Sequence, residues 1–286
     1  MDSSRVIERI FVVGCPRSGT TLLQSLLAAN SQMVSFPETH FYERMIPGRK
    51  LAVALGLAPR RARRRWKMCL HDIRHEEMQS FLPPYAIFVS QYSAAFIRIL
   101  DTLCLQQGHR RWLEKTPAHI RRIPEIQRLV PDPRFVHILR AGEDVIASMF
   151  NLGSQYPQTW GPWYGTLDQC VDRWVRDVRI SQSYAEQPNH RLVRYDELLR
   201  DPRSVVQELC EFLEIPFEDS MLTEYARQAD ELVHRREHWK DSVKEPIWNT
   251  QQRRFHRYLD ESQQQYIHEK VPADLANLLA PVSYSS

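Results

Sequence analysis

The stretch Ile10–Leu27, IFVVGCPRSGTTLLQSLL, constrains this chain most, because it joins an apolar run to a helical pattern through a glycine-bearing turn. Ile10–Val13 contains three β-branched residues and ends at Gly14, which is typical of a buried parallel strand. The leucines that follow recur at helical spacing. We therefore predict a strand, a tight loop and a helix that packs on a sheet.

The spacing of this loop matches an anion-binding motif with one change. From Gly14, G-x-x-x-x-G-T-T follows the G-x-x-x-x-G-K-[ST] phosphate loop of nucleotide triphosphatases, but Thr20 replaces the lysine. Backbone N–H groups from Ser18 to Thr21 still form an anion site at the start of a helix. Arg17 adds a permanent cation whose planar fork suits phosphate or sulfate. We expect the loop to hold an anion shorter than a triphosphate.

The composition fits a single α/β domain. A chain of 286 residues can bury a sizeable core, and its net charge of +3 is too small to indicate nucleic-acid binding. Its five cysteines are widely spaced and predict neither a disulfide framework nor a zinc site. The sequence shows no signal-peptide core and no run long enough to span a membrane. We expect a soluble, cytoplasmic protein that needs no metal and has no nucleic-acid partner.

Four further segments are predicted to be strands, and each brings a polar side chain to its carboxyl end. These segments are Met33–Phe36 with Glu38 and His40, residues 112–117 with Lys115, Phe135–Leu139 with Arg140, and His190–Tyr195 with Tyr195 itself. Open α/β sheets bind their ligands at such strand ends. The predicted fold is a P-loop-like central parallel sheet of four or five strands, flanked by helices.

The segments between the strands are mostly predicted helices. Residues 40–107 form a helical region whose basic run at 60–67 is either a solvated face or a lid over an anionic substrate. Residues 153–166 are predicted to be a Gly/Pro loop, whose aromatic side chains either line an acceptor site or pack on the core. Residues 216–286 form a helical tail.

Two motifs together carry a family resemblance. Pro16-Arg17-Ser18-Gly19-Thr20-Thr21 and the later Arg140-x-x-x-Asp144-Val145-x-x-Ser148 resemble the sulfotransferases that use 3′-phosphoadenosine 5′-phosphosulfate (PAPS). The P-R-S-G-T-T form is closer to the tyrosylprotein and bacterial branch than to the cytosolic branch. The resemblance covers roughly residues 8–215 of a domain that would include all of residues 1–286.

The resemblance implies a role for each matching residue. The loop would bind the 5′-phosphosulfate through Pro16, Arg17, Ser18, Gly19, Thr20 and Thr21. Arg140 and Ser148 would bind the 3′-phosphate, with Lys244 as a looser match near the same group. Lys115 would lie near the sulfonate, and Tyr195 is either an adenine contact or a core tyrosine. The R-K-G-x-x-G motif that closes over the nucleotide in the cytosolic branch is missing.

The residue that takes the acceptor's proton has three candidates. Glu38 is similar to a glutamate of the tyrosylprotein branch and is preferred, with His40 as a neighbour able to tune or replace it. His119 follows the Lys115-Thr116 turn, as the cytosolic branch's histidine does, but two residues further on. A structural acid or helix N-cap is the alternative for Glu38.

The implied reaction moves sulfonate from PAPS to a hydroxyl or amine, releases 3′,5′-ADP and requires no metal. The alternatives are a small-molecule kinase, which Thr20 in place of lysine disfavours, and a non-catalytic nucleotide-binding protein. The residues do not choose among a small-molecule, glycan, lipid or peptide acceptor, and they leave the oligomeric state open.

Overall fold

The computed structural model describes residues 7–232 and 254–278. Its centre is a five-stranded sheet of order β2-β3-β1-β4-β5 in which every pairing is parallel. The strands are β1 Glu8–Gly14, β2 Met33–Phe36, β3 Arg111–Lys115, β4 Pro133–Leu139 and β5 His190–Arg194. The predicted fold class, a single α/β domain with a parallel sheet, is therefore confirmed.

Helices connect the strands and cover the sheet. The first set is α1 Thr20–Ala28, α2 Phe41–Met45, α3 Lys50–Ala54, α4 Ala62–Asp72, α5 Val89–Gln106, α6 Ile123–Leu129, α7 Gly142–Gln155 and α8 Gly161–Tyr164. The second set is α9 Leu167–Ser183, α10 Tyr195–Arg200, α11 Pro202–Leu213, α12 Ser220–Thr223, α13 Tyr225–Leu232, α14 Arg254–Tyr258 and α15 Glu261–Lys270. Short 3₁₀ helices lie at Glu76–Phe81, Pro117–Arg122 and Ala273–Leu278.

Alternation along β1 divides the core between the two faces of the sheet. Phe11 and Val13 point into a cluster formed with α2, α4 and α5. Ile10 and Val12 point to the other face, against α1 and α11. All four side chains have no exposed surface, as expected for a central parallel strand covered on both faces.

The strand order places a crevice at the carboxyl end of β1. The connection from β1 leads to β2 on one side of the sheet, whereas the connection from β4 leads to β5 on the other side. Adjacent strands whose connections diverge in this way leave a gap where ligands bind. Because Gly14 pairs with Ile138 and Val12 pairs with Lys115, three strand ends meet there.

Residues 153–166 differ from the predicted loop. Helix α7 continues to Gln155, and α8 forms a further helical turn. A side chain on Gly153 would lie 2.3 Å from the carbonyl oxygen of Tyr164, so the glycine lets α8 pack directly on α7. Tyr164 is consequently buried, while Tyr156 and Trp163 remain exposed.

The part of the tail that the structure describes is helical. Helix α14 packs on α7 through Phe255, and α15 contributes Ile267 to the same cluster around α7 and α9. The division into a core over about residues 8–215, a lid or acceptor region over about 40–107 and a tail over about 216–286 remains a prediction. Within the described ranges, no helix combines the length and apolarity needed to cross a bilayer.

A buried histidine pair joins β4 to β5. His137 Nε2 lies 2.9 Å from His190 Nδ1, and His137 Nδ1 lies 3.1 Å from Ser181 Oγ. Burial lowers the pKa of His137 to about 3, with a further contribution from His190, and it lowers the pKa of His190 to about 4. Both rings are therefore neutral in the folded protein at pH 7.

This pair predicts acid-dependent destabilisation. Since the unfolded chain has a histidine pKa near 6.5, it binds more protons than the folded chain between about pH 4 and pH 6.5. The free energy of unfolding should fall as pH drops through that window and should not depend on this pair at higher pH. In urea titrations, His137→Gln should reduce the slope of that free energy against pH by up to about 1.4 kcal/mol per unit.

The exposed His256 supplies the control, because its ring lies 3.2 Å from the uncharged Gln264 Oε1. His256→Gln should leave the slope close to that of the parent protein. An unchanged slope in His137→Gln would contradict the assignment.

Candidate functional site

The loop after β1 is held in shape by two glycines. Gly19 has φ 96°, and a side chain there would lie 2.4 Å from the Tyr195 ring. A side chain on Gly14 would lie 2.7 Å from the carbonyl oxygen of Ile138. The loop also contains Arg17 in the left-handed region at φ 74°. Alternating left-handed positions ahead of a helix direct successive N–H groups to one side, which forms a concave anion site.

Three arginines converge beside this loop and are called the arginine cluster: Arg17, Arg140 and Arg254. Arg17 Nε donates to Ser148 Oγ at 3.1 Å, and Arg254 Nη1 donates to the same oxygen at 3.0 Å. Asp144 accepts from Arg140 Nη2 at 2.7 Å and from the Arg254 backbone N–H at 2.9 Å. Helix α7 thus supplies Asp144 and Ser148, one turn apart, as the centre of the cluster.

The electrostatics of the arginine cluster favour an anion. Burial, together with the charges of Arg254 and Arg140, lowers the pKa of Arg17 to about 10. Burial and the charge of Arg140 also lower the pKa of Arg254. The cations therefore repel one another in a poorly hydrated place, and a bound polyanion would relieve that repulsion.

Two buried donors near the loop support the same conclusion. Within the described part of the chain, Ser18 Oγ and Arg140 Nε are buried and have no hydrogen-bond partner. Buried polar groups without partners are costly, so they mark positions where a ligand or water completes the hydrogen bonding. The donors present fit the phosphate groups of a nucleotide such as PAPS.

Tyr195 begins α10 directly after β5 and packs against both the loop after β1 and the arginine cluster. The Arg140 guanidinium lies 4.3 Å from the centre of its ring, and Gly19 lies against the ring edge. Only 6% of the residue is exposed. The structure therefore gives Tyr195 a packing role between loop and arginine, whereas its predicted contact with adenine stays a prediction.

A second group of polar residues lies on the other side of the loop. Lys115 Nζ donates to Thr21 Oγ1 at 3.3 Å and forms an ion pair with Glu38 Oε1. Lys115 is 2% exposed, and the Glu38 side chain is 13% exposed. His40 Nε2 lies 3.5 Å from Glu38 Oε2. The loop thus contacts the arginine cluster through Arg17 and the lysine–glutamate pair through Thr21.

Two neighbouring carboxylates raise the pKa of His40. Burial acts to lower its pKa, but the hydrogen bond from its ring to Glu43 and the charge of Glu38 together raise it. His40 also adopts φ 52°, a left-handed conformation that is uncommon outside glycine. The backbone N–H of His40 donates a hydrogen bond to Thr116 Oγ1 at 3.1 Å, which helps to hold this conformation.

His119 occupies a different environment from the other two candidate bases. Its Nδ1 lies 2.9 Å from Glu114 Oε2, and its Nε2 accepts from the Tyr42 backbone N–H at 3.1 Å. The ring has no exposed surface, and both nitrogens have partners. His119 therefore supports the segment carrying Glu38 rather than facing the crevice.

Glu114 completes this support from β3. Its buried carboxylate accepts from Thr39 Oγ1 at 2.8 Å and from Thr116 Oγ1 at 2.6 Å, besides His119. Burial acts to raise its pKa, yet the charge of His119 and these hydrogen bonds lower it overall. A buried acid thereby fixes the backbone on both sides of the lysine–glutamate pair.

The prediction missed Arg254, and Lys244 lies outside the described residues. Arg254 begins a short tail helix more than a hundred residues after Ser148, so no local spacing links the two. The adjacent arginines at 253 and 254, followed by the buried Phe255, were the signal available in the sequence.

The chain matches known proteins over most of its length. A model described as the sulfotransferase family matches residues 9–219. A protein-tyrosine sulfotransferase A of Caenorhabditis elegans is 23% identical over 224 residues, covering 77% of this chain and 53% of that protein. The chain therefore spans about half the length of this curated relative.

Solved structures share the fold. The sulfotransferase domain of a Synechococcus olefin synthase is 20% identical with a TM-score of 0.60, covering 94% of this chain and 96% of that one. A mouse sulfotransferase in complex with PAP is 14% identical with a TM-score of 0.51, covering 95% and 87%. These structures share the fold, whereas the family model, whose match over residues 9–219 takes in the loop and all five strands, shows that the chain belongs to the sulfotransferase family.

Proposed function

We propose that this protein transfers the sulfonate group of PAPS to a hydroxyl or amine of an acceptor. The observation that carries the proposal is that one loop contacts both polar groups of the crevice. Arg17 joins it to the arginine cluster, and Thr21 joins it to the lysine–glutamate pair. A nucleotide held at one end would present its reacting group to the other end.

The arginine cluster would hold the phosphates of the cosubstrate. Arg17 and the N–H groups of Ser18 to Thr21 would bind the 5′-phosphate, which is the leaving group. Arg140, Ser148 and Arg254, which Asp144 and one another's contacts hold together, would bind the 3′-phosphate. Arg254 is a cation from the tail that lies outside the loop motif and the α7 motif. It would help to close the site, since the chain has no R-K-G-x-x-G sequence.

Lys115 and Glu38 would act on the transfer itself. Negative charge develops on the bridging oxygen as its bond to sulfur breaks, and Lys115 and Thr21 would stabilise it there. Glu38 would accept the acceptor's proton while the acceptor oxygen bonds to sulfur, and the electron pair would leave with 3′,5′-ADP. Release of Glu38 from Lys115 would free the carboxylate for this step.

The acceptor and the cellular location belong to the proposal as well. The name of the C. elegans relative makes a peptide tyrosine the first acceptor to test, ahead of small molecules, glycans and lipids. The five cysteines are all buried and unpaired, which supports a reducing, cytoplasmic location. No metal ligand enters the proposed steps.

Ligand-induced stabilisation tests the choice of nucleotide. We expect 3′,5′-ADP to raise the melting temperature without Mg²⁺, and to do so more than 5′-AMP or ATP. Of these three nucleotides, only 3′,5′-ADP carries both a 5′-phosphate and a 3′-phosphate for the arginine cluster to bind. The measurement is a thermal shift series with and without Mg²⁺. Equal stabilisation by ATP with Mg²⁺ would instead favour a kinase.

Arginine variants test the phosphate assignment. Arg140→Ala and Arg254→Ala should each weaken 3′,5′-ADP binding by about tenfold or more, since each removes a charge-assisted contact. Titration calorimetry gives the dissociation constants. Arg257→Ala is the matched control, because Arg257 lies on the same helix α14 and is exposed. A normal dissociation constant in Arg254→Ala would remove the tail residue from the site.

A glutamine variant tests the base. Glu38→Gln should lower kcat by about 10²- to 10⁴-fold, because general-base catalysis is worth that much. Its affinity for 3′,5′-ADP should stay close to that of the parent protein. Glu43→Gln is the control, since it also contacts His40 but not Lys115. If kcat is unchanged in Glu38→Gln and falls in His40→Gln, the base is His40.

A further inference from the structure

The helical region before α5 exposes a group of large apolar side chains. Their exposed fractions are 72% for Leu51, 57% for Leu55, 91% for Tyr85, 57% for Ile87 and 41% for Phe88. Single exposed apolar residues are ordinary, but a contiguous group marks a surface that contacts something else.

Backbone contacts bring together the segments that carry these side chains. Leu51 and Leu55 are one turn apart, joined by the bond from the Leu55 N–H to the Leu51 carbonyl oxygen at 3.0 Å. The following residues pair with the segment before α5, through an antiparallel bridge between Leu57 and Phe88. The Ala58 N–H also donates to the Ile87 carbonyl oxygen at 2.8 Å.

The same region is strongly cationic. Between residues 44 and 71 the sequence contains nine lysines and arginines and no aspartate or glutamate. Seven of these cations are exposed: Arg49, Lys50, Arg60, Arg61, Arg63, Arg64 and Lys67. Arg63 donates to the Pro83 carbonyl oxygen at 2.9 Å, which brings the start of α4 beside Tyr85. We call these residues and the five apolar side chains the cationic–apolar face.

The core does not account for this face. Helix α4 already buries Trp66, Cys69 and Leu70 against the aromatic cluster around α2 and α5. The exposed Arg63 and Arg64 of this helix therefore point away from the core, and none of the residues of α3 is buried. The face thus combines exposed apolar and exposed cationic side chains, as an amphipathic surface does, and none of its residues belongs to the two polar groups of the crevice.

We propose that the cationic–apolar face docks onto an anionic lipid bilayer. The exposed arginines and lysines would meet lipid phosphates and carboxylates, while Leu51, Leu55 and Tyr85 would enter the boundary between headgroups and acyl chains. A bilayer matches both features at once, because negative charge covers its surface and apolar chains lie directly beneath. This binding is independent of sulfonate transfer.

Vesicle cosedimentation of the full chain tests the proposal. We expect binding to phosphatidylcholine vesicles that contain about 30% phosphatidylserine, and at least about tenfold weaker binding to phosphatidylcholine alone. Raising the salt to about 0.5 M should weaken the binding, since it screens the charges. Equal binding to both vesicle types, or no binding to either, would overturn the proposal. Binding to an acidic protein or to RNA, without binding to the vesicles, would also overturn it and would assign the face to that partner.

Two triple variants separate the contribution of the cations from that of the apolar side chains. Arg60→Gln/Arg61→Gln/Arg64→Gln and Leu51→Ser/Tyr85→Ser/Ile87→Ser should each reduce vesicle binding by about tenfold or more. Leu105→Ser is the control, because Leu105 is 50% exposed but lies at the far end of α5, about 25 Å along the helix from Phe88. Its vesicle binding should equal that of the parent.

Folding and nucleotide affinity are checked in the same variants. All of the substituted side chains are exposed, so the melting temperature and the 3′,5′-ADP dissociation constant should remain those of the parent protein. Normal vesicle binding in both triple variants, with normal melting temperatures, would overturn the proposal.

Discussion

The structure depends on how closely the loop after β1 approaches its neighbours. Gly14 and Gly19 leave no space for a side chain beside Ile138 and the Tyr195 ring. These contacts fix the loop against β4 and against α10, which are otherwise distant in the chain. This placement directs Arg17 of the loop and Thr21, at the start of α1, toward the two polar groups of the crevice.

The two ends of the crevice differ in how their charges are balanced. The lysine–glutamate pair is a neutral unit, supported from behind by the buried Glu114. The arginine cluster carries more positive than negative charge, and burial together with this imbalance lowers the pKa values of Arg17 and Arg254. A polyanion therefore belongs at the second end, whereas the first end suits proton transfer.

Most of the fold was predictable because the strands are short apolar runs whose ends carry glycine, proline or polar residues. All five predicted strands are present, and β1 and β4 follow their apolar runs closely. The error at residues 153–166 arose because Gly153, read as a loop residue, instead lies inside α7 and allows close packing of α8. Local sequence does not distinguish these two uses of glycine.

The sequence by itself determined the anion loop, the order of the strands along the chain and which residues stand at strand ends, because these depend on local spacing. Only the tertiary structure decided which of those residues meet. It joined Arg254 of the tail to Ser148 of α7, and it enclosed His119 with Glu114 instead of leaving it beside Glu38. Such contacts depend on how distant helices pack on the sheet, and no pattern within a single segment encodes them.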